Sequence, residues 1–190
     1  MALLAEEIVE EWLNRQGYFT IRGIKIGVQE IDLLAVKWQA DGTAECRHLE
    51  VQASMRPVSY ISRVPKEEQK NGRAANSAKR SDQELTQGVS EWVEKKFRRP
   101  DKRDLMKKLW NGEWSSELVV NAVKSEQELA LIASHDIKVH LLSDIIASLA
   151  NQPFVVSSAS GADIIDLIQM SARTQKAPEK LSPTDETSLA

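Results

Sequence analysis

Two β-rich runs, residues 30–38 (EIDLLAVKW) and 45–53 (ECRHLEVQA), flank an Asp41-Gly42 pair. Nothing else in the chain constrains its fold as strongly. Asp-Gly accommodates a tight backbone reversal, so the two runs are expected to pair as a hairpin. Strand side chains alternate between faces, so Glu50 and Gln52 point the same way, about 7 Å apart, with His48 and Cys46 on the same side. Asp32 can then meet Glu50 across the hairpin. Asp32 sits among Ile31, Leu33 and Leu34, where an unpartnered carboxylate would be costly to bury. Two carboxylates converging on one spot repel each other unless a cation lies between them. Mg2+ takes one or two carboxylates, with waters and substrate phosphate completing its shell.

The rest of the chain alternates. The spacing predicts a helix over 3–16, where Val9 with Leu13 and Ile8 with Trp12 build one apolar stripe. Gly17 follows as its C-cap. A strand is expected at 18–21, then a turn or irregular edge at 22–29 around Gly23 and Gly27. Residues 54–81 are polar, carry Pro57, Pro65 and Asn71-Gly72, and read as a long loop that is either mobile or functional. Helices are expected at 82–97 and 101–110, separated by Pro100, and a strand at 117–123. Ser125 opens a helix with Glu128 completing a capping box. A strand at 137–142 and a helix at 143–149 follow, with a last short helix at 163–170. Residues 171–190 have almost no large apolar side chains, and are expected to be a disordered tail. Residues 1–170 are therefore read as one α/β domain with a central mixed sheet between helices. Its core is 3–123, and 124–170 is a β/α extension.

Composition excludes several classes. No apolar run approaches the roughly 18 residues of a membrane-spanning helix. The acidic start lacks the basic and apolar regions of a signal peptide. Cys46 is the single cysteine, so no intrachain disulfide or multi-Cys zinc site can form, and a cytoplasmic setting is expected. A Walker pattern and Gly-x-Gly-x-x-Gly are both missing, which argues against NTPases and dinucleotide enzymes. The net charge of −3 hides an asymmetry, because residues 56–110 carry 15 Lys+Arg against 8 Asp+Glu. Arg56, Arg63, Lys66, Lys70, Arg73, Lys79 and Arg80 lie in the loop that leaves Gln52. Lys95, Lys96, Arg98, Arg99, Lys102, Arg103, Lys107 and Lys108 lie on or between the helices. Such cations neutralise phosphates without reading sequence, and the loop residues are candidates for ordering on nucleic acid. The plainer reading is a solvated surface.

The order helix, strand, strand with Asp32, strand with Glu50-Val51-Gln52, helix, strand resembles the PD-(D/E)xK nuclease superfamily. Its restriction-endonuclease-like fold has an αβββαβ core. The stretch from Glu6 through Gly17-Tyr18-Phe19 to Glu30-Ile31-Asp32 and His48-Leu49-Glu50-Val51-Gln52 is similar to archaeal Holliday-junction resolvases and Mrr-like restriction domains. The resemblance spans 3–123. It implies an endonuclease hydrolysing phosphodiester bonds in DNA with Mg2+ or Mn2+. Asp32 matches the first metal-binding Asp and Glu50 the second carboxylate. Gln52 stands where the family usually has Lys. Gln can orient a water, but it carries no charge and cannot act as a base. Some active members carry Gln here, and Lys25 or Lys37 could supply the missing charge. Many members also carry a Glu on the first helix that reaches the metal through water. Glu6, three residues before Val9 and seven before Leu13, fits that role better than Glu7. Folds of this type often work as dimers because two strands must be cut, which is compatible with a homodimer.

Blander readings stand beside these. His48 could be a ligand, a proton donor or a supporting contact, but a lone strand histidine is more often a packed residue. Cys46 reads as a small buried residue, and the five Trp as core or interface. Gln52 favours the alternative of a catalytically degenerate module that binds nucleic acid or a protein partner without cleavage. A structural or regulatory subunit with accidental carboxylates is the third class.

Overall fold

The computed structural model describes residues 2–54, 56–151, 163, 166–168 and 170. The expected tail at 171–190 lies outside the described residues. So does part of the expected helix at 163–170, whose described positions are helical.

The elements run α1 (Ala2–Arg15), β1 (Phe19–Ile26), β2 (Gln29–Trp38), β3 (Ala44–Gln52), α2 (Lys66–Lys70), α3 (Asp82–Lys96), α4 (Pro100–Leu109), β4 (Trp114–Val120), α5 (Glu126–Ala133), β5 (Ile137–Leu141) and α6 (Leu142–Asn151). The five strands form one mixed sheet in the order β1-β2-β3-β4-β5. β1, β2 and β3 pair antiparallel, and β3, β4 and β5 pair parallel. The antiparallel part is made by short hairpins. The parallel part needs crossovers, which α2–α4 and α5 provide.

The expected hairpin forms, with Trp38 opposite Ala44. Asp41 Oδ1 accepts from the Thr43 amide at 2.9 Å and from its hydroxyl at 2.7 Å, which holds the reversal. The expected turn at 22–29 is instead mostly strand. β1 stays in register with β2 from Phe19↔Val36 to Ile26↔Gln29. Gly23 and Gly27 disguise the alternation of Arg22, Ile24 and Ile26. The pairing is rewarded because Ile24 and Ile26 pack against Ile31, Leu34 and Met106. β4 begins three residues earlier than expected, since its register is set by β3 from Cys46↔Trp114 to Gln52↔Val120.

Apolar alternation sorts the strands onto two faces. Leu33, Ala35, Leu49, Val51 and Val119 meet Val9 and Leu13 of α1 and Ile145 and Leu149 of α6. Leu118 and Val120 meet Leu85, Val89 and Val93 of α3 and Ile132 of α5. The sheet is thus sandwiched between helical layers, each closed by side chains at helical spacing.

The loop after β3 is more ordered than its composition suggests. It contains α2, pairs Val58 with Val123, and is tied to α5 by a buried carboxylate. Glu128 accepts from the amides of Ile61 at 2.7 Å and Ser62 at 2.8 Å. Ser125 caps α5 as expected, but this use of Glu128 corrects the capping-box reading. A full box sits instead on α3, between Ser81 and Glu84. Gly88 lets the same loop approach α3. A Cβ there would lie 2.5 Å from the Arg63 carbonyl oxygen. No helix among the described residues is long and apolar enough to cross a membrane.

Candidate functional site

The site lies where β2 and β3 part. Leu33↔Leu49 is the last pair of their ladder, so the next residues outward, Asp32 and Glu50, stand opposite each other unpaired. Asp32 replaces the missing backbone bond with its side chain, its Oδ2 accepting from the Val51 amide at 2.8 Å. Burial, and then the Glu50 charge, push Asp32 up to about 7; Lys96 and the Val51 bond oppose them. This is a carboxyl held near neutrality chiefly by its burial, with the Glu50 charge adding to it.

Glu50 has the opposite electrostatics. It is completely buried, yet three donors surround it. His48 Nε2 is 3.2 Å from Oε1, Lys102 Nζ 2.6 Å from Oε1, and Lys96 Nζ 2.5 Å from Oε2. Burial alone would raise its pKa, but the His48 bond and the two ammonium charges hold it at about 2. The Lys96 ammonium is held above its usual value: burial works against it, but Glu50, Asp32 and Glu30 outweigh that.

A helix break delivers both lysines. Lys96 ends α3, and Pro100 occupies the first turn of α4, where its missing N–H costs nothing. The chain therefore turns between them and brings Lys102 back under Glu50. Lys102 is 1% exposed and also donates to the Lys96 carbonyl at 2.9 Å. These two lysines are the functional candidates that the sequence reading passed over. Lys96 lies three residues after Val93 and seven after Val89, on the apolar stripe of α3, and Lys102 lies four before buried Met106. A cation on a buried stripe was the available signal. Lys25 and Lys37, the earlier candidates, make no hydrogen bond or ion pair with either carboxylate among the described residues.

Glu6 of α1 is half-buried. Burial and then Glu30 push its pKa up, Arg22 lowers it, and Glu50 adds a smaller upward push. Glu6 and Glu30 therefore share the acidic field around Asp32 and Glu50. Gln52 is half-buried at the end of β3, opposite Val120, and on the face of Glu50 by alternation. Among the described residues no group of three or more His, Cys, Asp or Glu has an arrangement that could hold a metal ion. Two carboxylates with water and phosphate remain sufficient donors for Mg2+.

The basic loop divides. Arg56, Arg63, Lys66, Lys70 and Lys79 are exposed. Arg73 is exposed too, but it pairs with Glu84 at 2.8 Å and donates to the Lys79 carbonyl. Arg80 donates to the Ser62 hydroxyl and carbonyl and lies 4.2 Å from the centre of the Tyr60 ring. Arg80 thus clasps the loop. Lys96 and Lys102, counted among the surface cations in the sequence, point inward.

No family model matches the chain, and no curated protein matches it. A solved structure described as a protein of unknown function, AF1548, aligns over 89% of this chain and 79% of that one. The identity is 13% and the TM-score 0.45.

Proposed function

We propose that the chain is a metal-dependent nuclease acting on DNA, built on a restriction-endonuclease-like core. The observation that carries this reading is the meeting of Asp32 and Glu50 at the splayed end of β2 and β3, with Lys96 between α3 and the two carboxylates. The order α1-β1-β2-β3-α3-β4, antiparallel first and parallel after β3, supports the core assignment.

The residues fit a divalent cation. Asp32 is pushed towards neutrality by burial and then by the Glu50 charge, and a cation would oppose both. One of its oxygens takes the Val51 amide, which leaves the other for an ion. Asp32 and Glu50 would hold Mg2+ or Mn2+, and the ion would supply Lewis acidity and an activated water. Lys96 offers the positive charge that Gln52 lacks, and it can stabilise negative charge on a phosphate. Gln52 can orient a water, and Glu6 adds to the acidic field. The exposed loop cations would hold the DNA backbone, and a homodimer would serve two strands.

One observation favours the degenerate module instead. Glu50 is already satisfied by His48, Lys96 and Lys102 and needs no ion. Plasmid, linear, single-stranded and branched DNA, incubated with Mg2+, Mn2+ or EDTA, separate the two. The nuclease reading expects metal-dependent cutting that Asp32→Ala and Glu50→Ala each reduce about a hundredfold or more, within the range seen when a transition-state donor is removed. DNA binding without cutting would select the module.

A further inference from the structure

Beside the two carboxylates, β1 and β2 outrun the rest of the sheet. The β2–β3 ladder ends at Leu33↔Leu49, but β1 and β2 stay paired through Ile24↔Ile31 and Lys25↔Glu30 to Ile26↔Gln29. The residues past Leu33 therefore project as a two-stranded ribbon, with no third strand beside it among the described residues and with Asp32 at its root. The β1–β2 register passes over Gly23 and Asp32, where Gly23 takes φ 67, a bend that a side chain would strain. The ribbon is braced. Arg22 at its root lies 3.4 Å from both Glu7 and Glu10 of α1, and Ile24 and Ile26 pack into the cluster that holds Leu105 and Met106 of α4.

Its tip is apolar. Gly27 and Val28 form the two-residue turn between Ile26 and Gln29. Gly27 has φ 59 and Val28 keeps a negative φ, the signs of a type II′ turn. Turn positions of this kind favour small polar residues, yet Val28 is 96% exposed, the most exposed large apolar side chain among the described residues. A solitary exposed apolar residue ordinarily needs no explanation. This one crowns a braced ribbon, four residues or about 13 Å along the strand from Asp32. Lys25 and Glu30, both exposed, stand opposite each other and balance the ribbon's charge. The tip therefore offers apolar contact rather than charge.

We infer, resting on the nuclease reading, that Val28 is a wedge that enters the minor groove of DNA and unstacks a base step beside the carboxylates. Two-stranded ribbons can lie in either groove. Apolar side chains inserted from the minor groove part base steps and kink the duplex. One side chain is too little surface for a stable protein interface, which needs about 800 Å2 per partner, but it matches the gap between two bases. Parting a step costs least where pairing or stacking is already weak. The substrate class is therefore duplex DNA weakened close to the cut, by a mispair or by a flexible pyrimidine–purine step, in preference to firmly stacked duplex.

The test titrates the full chain, in EDTA and in Ca2+, into short duplexes that carry 2-aminopurine either within perfect pairing or next to a single mispair. Anisotropy reads binding, and 2-aminopurine fluorescence reads unstacking. Binding should raise the fluorescence, and the mispaired duplex should bind about tenfold more tightly than the perfect one. Val28→Asn, a residue that suits the turn, should melt with the native chain yet lose both the rise and the preference. Val28→Leu should keep both. Binding without a fluorescence rise, equal affinity for the two duplexes, or a rise that Val28→Asn retains each overturns the wedge. Cleavage with Mg2+ is read separately. Cutting without the fluorescence rise overturns the wedge and leaves the nuclease reading standing, whereas neither binding nor cutting overturns both.

Discussion

Asp32→Asn should stabilise the protein, and only at high pH. The folded-state pKa of Asp32, about 7, stands above its unfolded value near 3.8. A raised carboxyl binds its proton more tightly in the folded state. Its contribution to stability is therefore complete below about pH 3.8 and is lost as pH rises through 7. A gap of about three pH units corresponds to about 4 kcal/mol of destabilisation at pH 8. Relaxation and water entry reduce the recoverable part to about 2–4 kcal/mol. Asparagine keeps an oxygen for the Val51 amide and removes the charge that Glu50 opposes. Urea unfolding at pH 8 should therefore show a gain of about 2–4 kcal/mol, or roughly 5–10 °C in Tm. At pH 4.5 the gain should shrink to a small fraction, since folded Asp32 is already protonated. Millimolar Mg2+ should stabilise the native chain at pH 8 by mass action and leave Asp32→Asn unmoved. A loss of stability at pH 8, or an equal change at both pH values, would refute the picture of a carboxyl held near neutrality by burial.

Three further substitutions probe the supports of the site. Lys102→Met should cost about 3 kcal/mol in urea unfolding, because it strips a buried partner from Glu50, and adding Glu50→Gln should restore about half of it. Gly88→Ala would normally strengthen a helix by about 1 kcal/mol. Here it should lower stability by about 2 kcal/mol in a thermal melt, since the Arg63 carbonyl blocks the new Cβ. Glu128→Ala should cost about 2–3 kcal/mol by orphaning the Ile61 and Ser62 amides, and hydrogen exchange should show lost protection at those two positions.

The hairpin carried its own register, and with it the meeting of Asp32 and Glu50. Period-two alternation bounded by a turn pair leaves little freedom once one face must be buried. The helices were legible for the same reason, from Val9 and Leu13 in α1 to Leu85, Val89 and Val93 in α3. β1 was half-missed because its glycines interrupt the apolar signal, while its pairing is decided by β2. The order of the loop after β3 is not legible in its composition. Its order rests on one distant carboxylate, Glu128, and no local rule connects residue 128 to residues 61 and 62. Lys96 and Lys102 escaped for a related reason. Their charge marks them as surface residues, and only the turn at Pro100 together with the position of β3 shows that Glu50 awaits them.

The two lysines also bear on what Gln52 means. Both neutralise Glu50, but they are not equivalent. Lys102 is about 1% exposed and anchored to a carbonyl, whereas Lys96 is 24% exposed and feels Asp32 and Glu30 as well as Glu50. Lys96 is therefore the more accessible of the two, and the one that also faces Asp32. Under the nuclease reading, Asp32 and Glu50 would hold the ion, which would supply Lewis acidity, and the Lys96 ammonium would stabilise negative charge on the phosphate. Under the degenerate reading Lys96 has no second task. Lys96→Gln should then cost stability without a change in DNA chemistry, and Lys96→Met should do the same. A nuclease would instead lose turnover with Lys96→Gln while still binding its metal, as measured by calorimetry. The split between metal binding and turnover therefore decides whether Lys96 serves turnover or only holds Glu50.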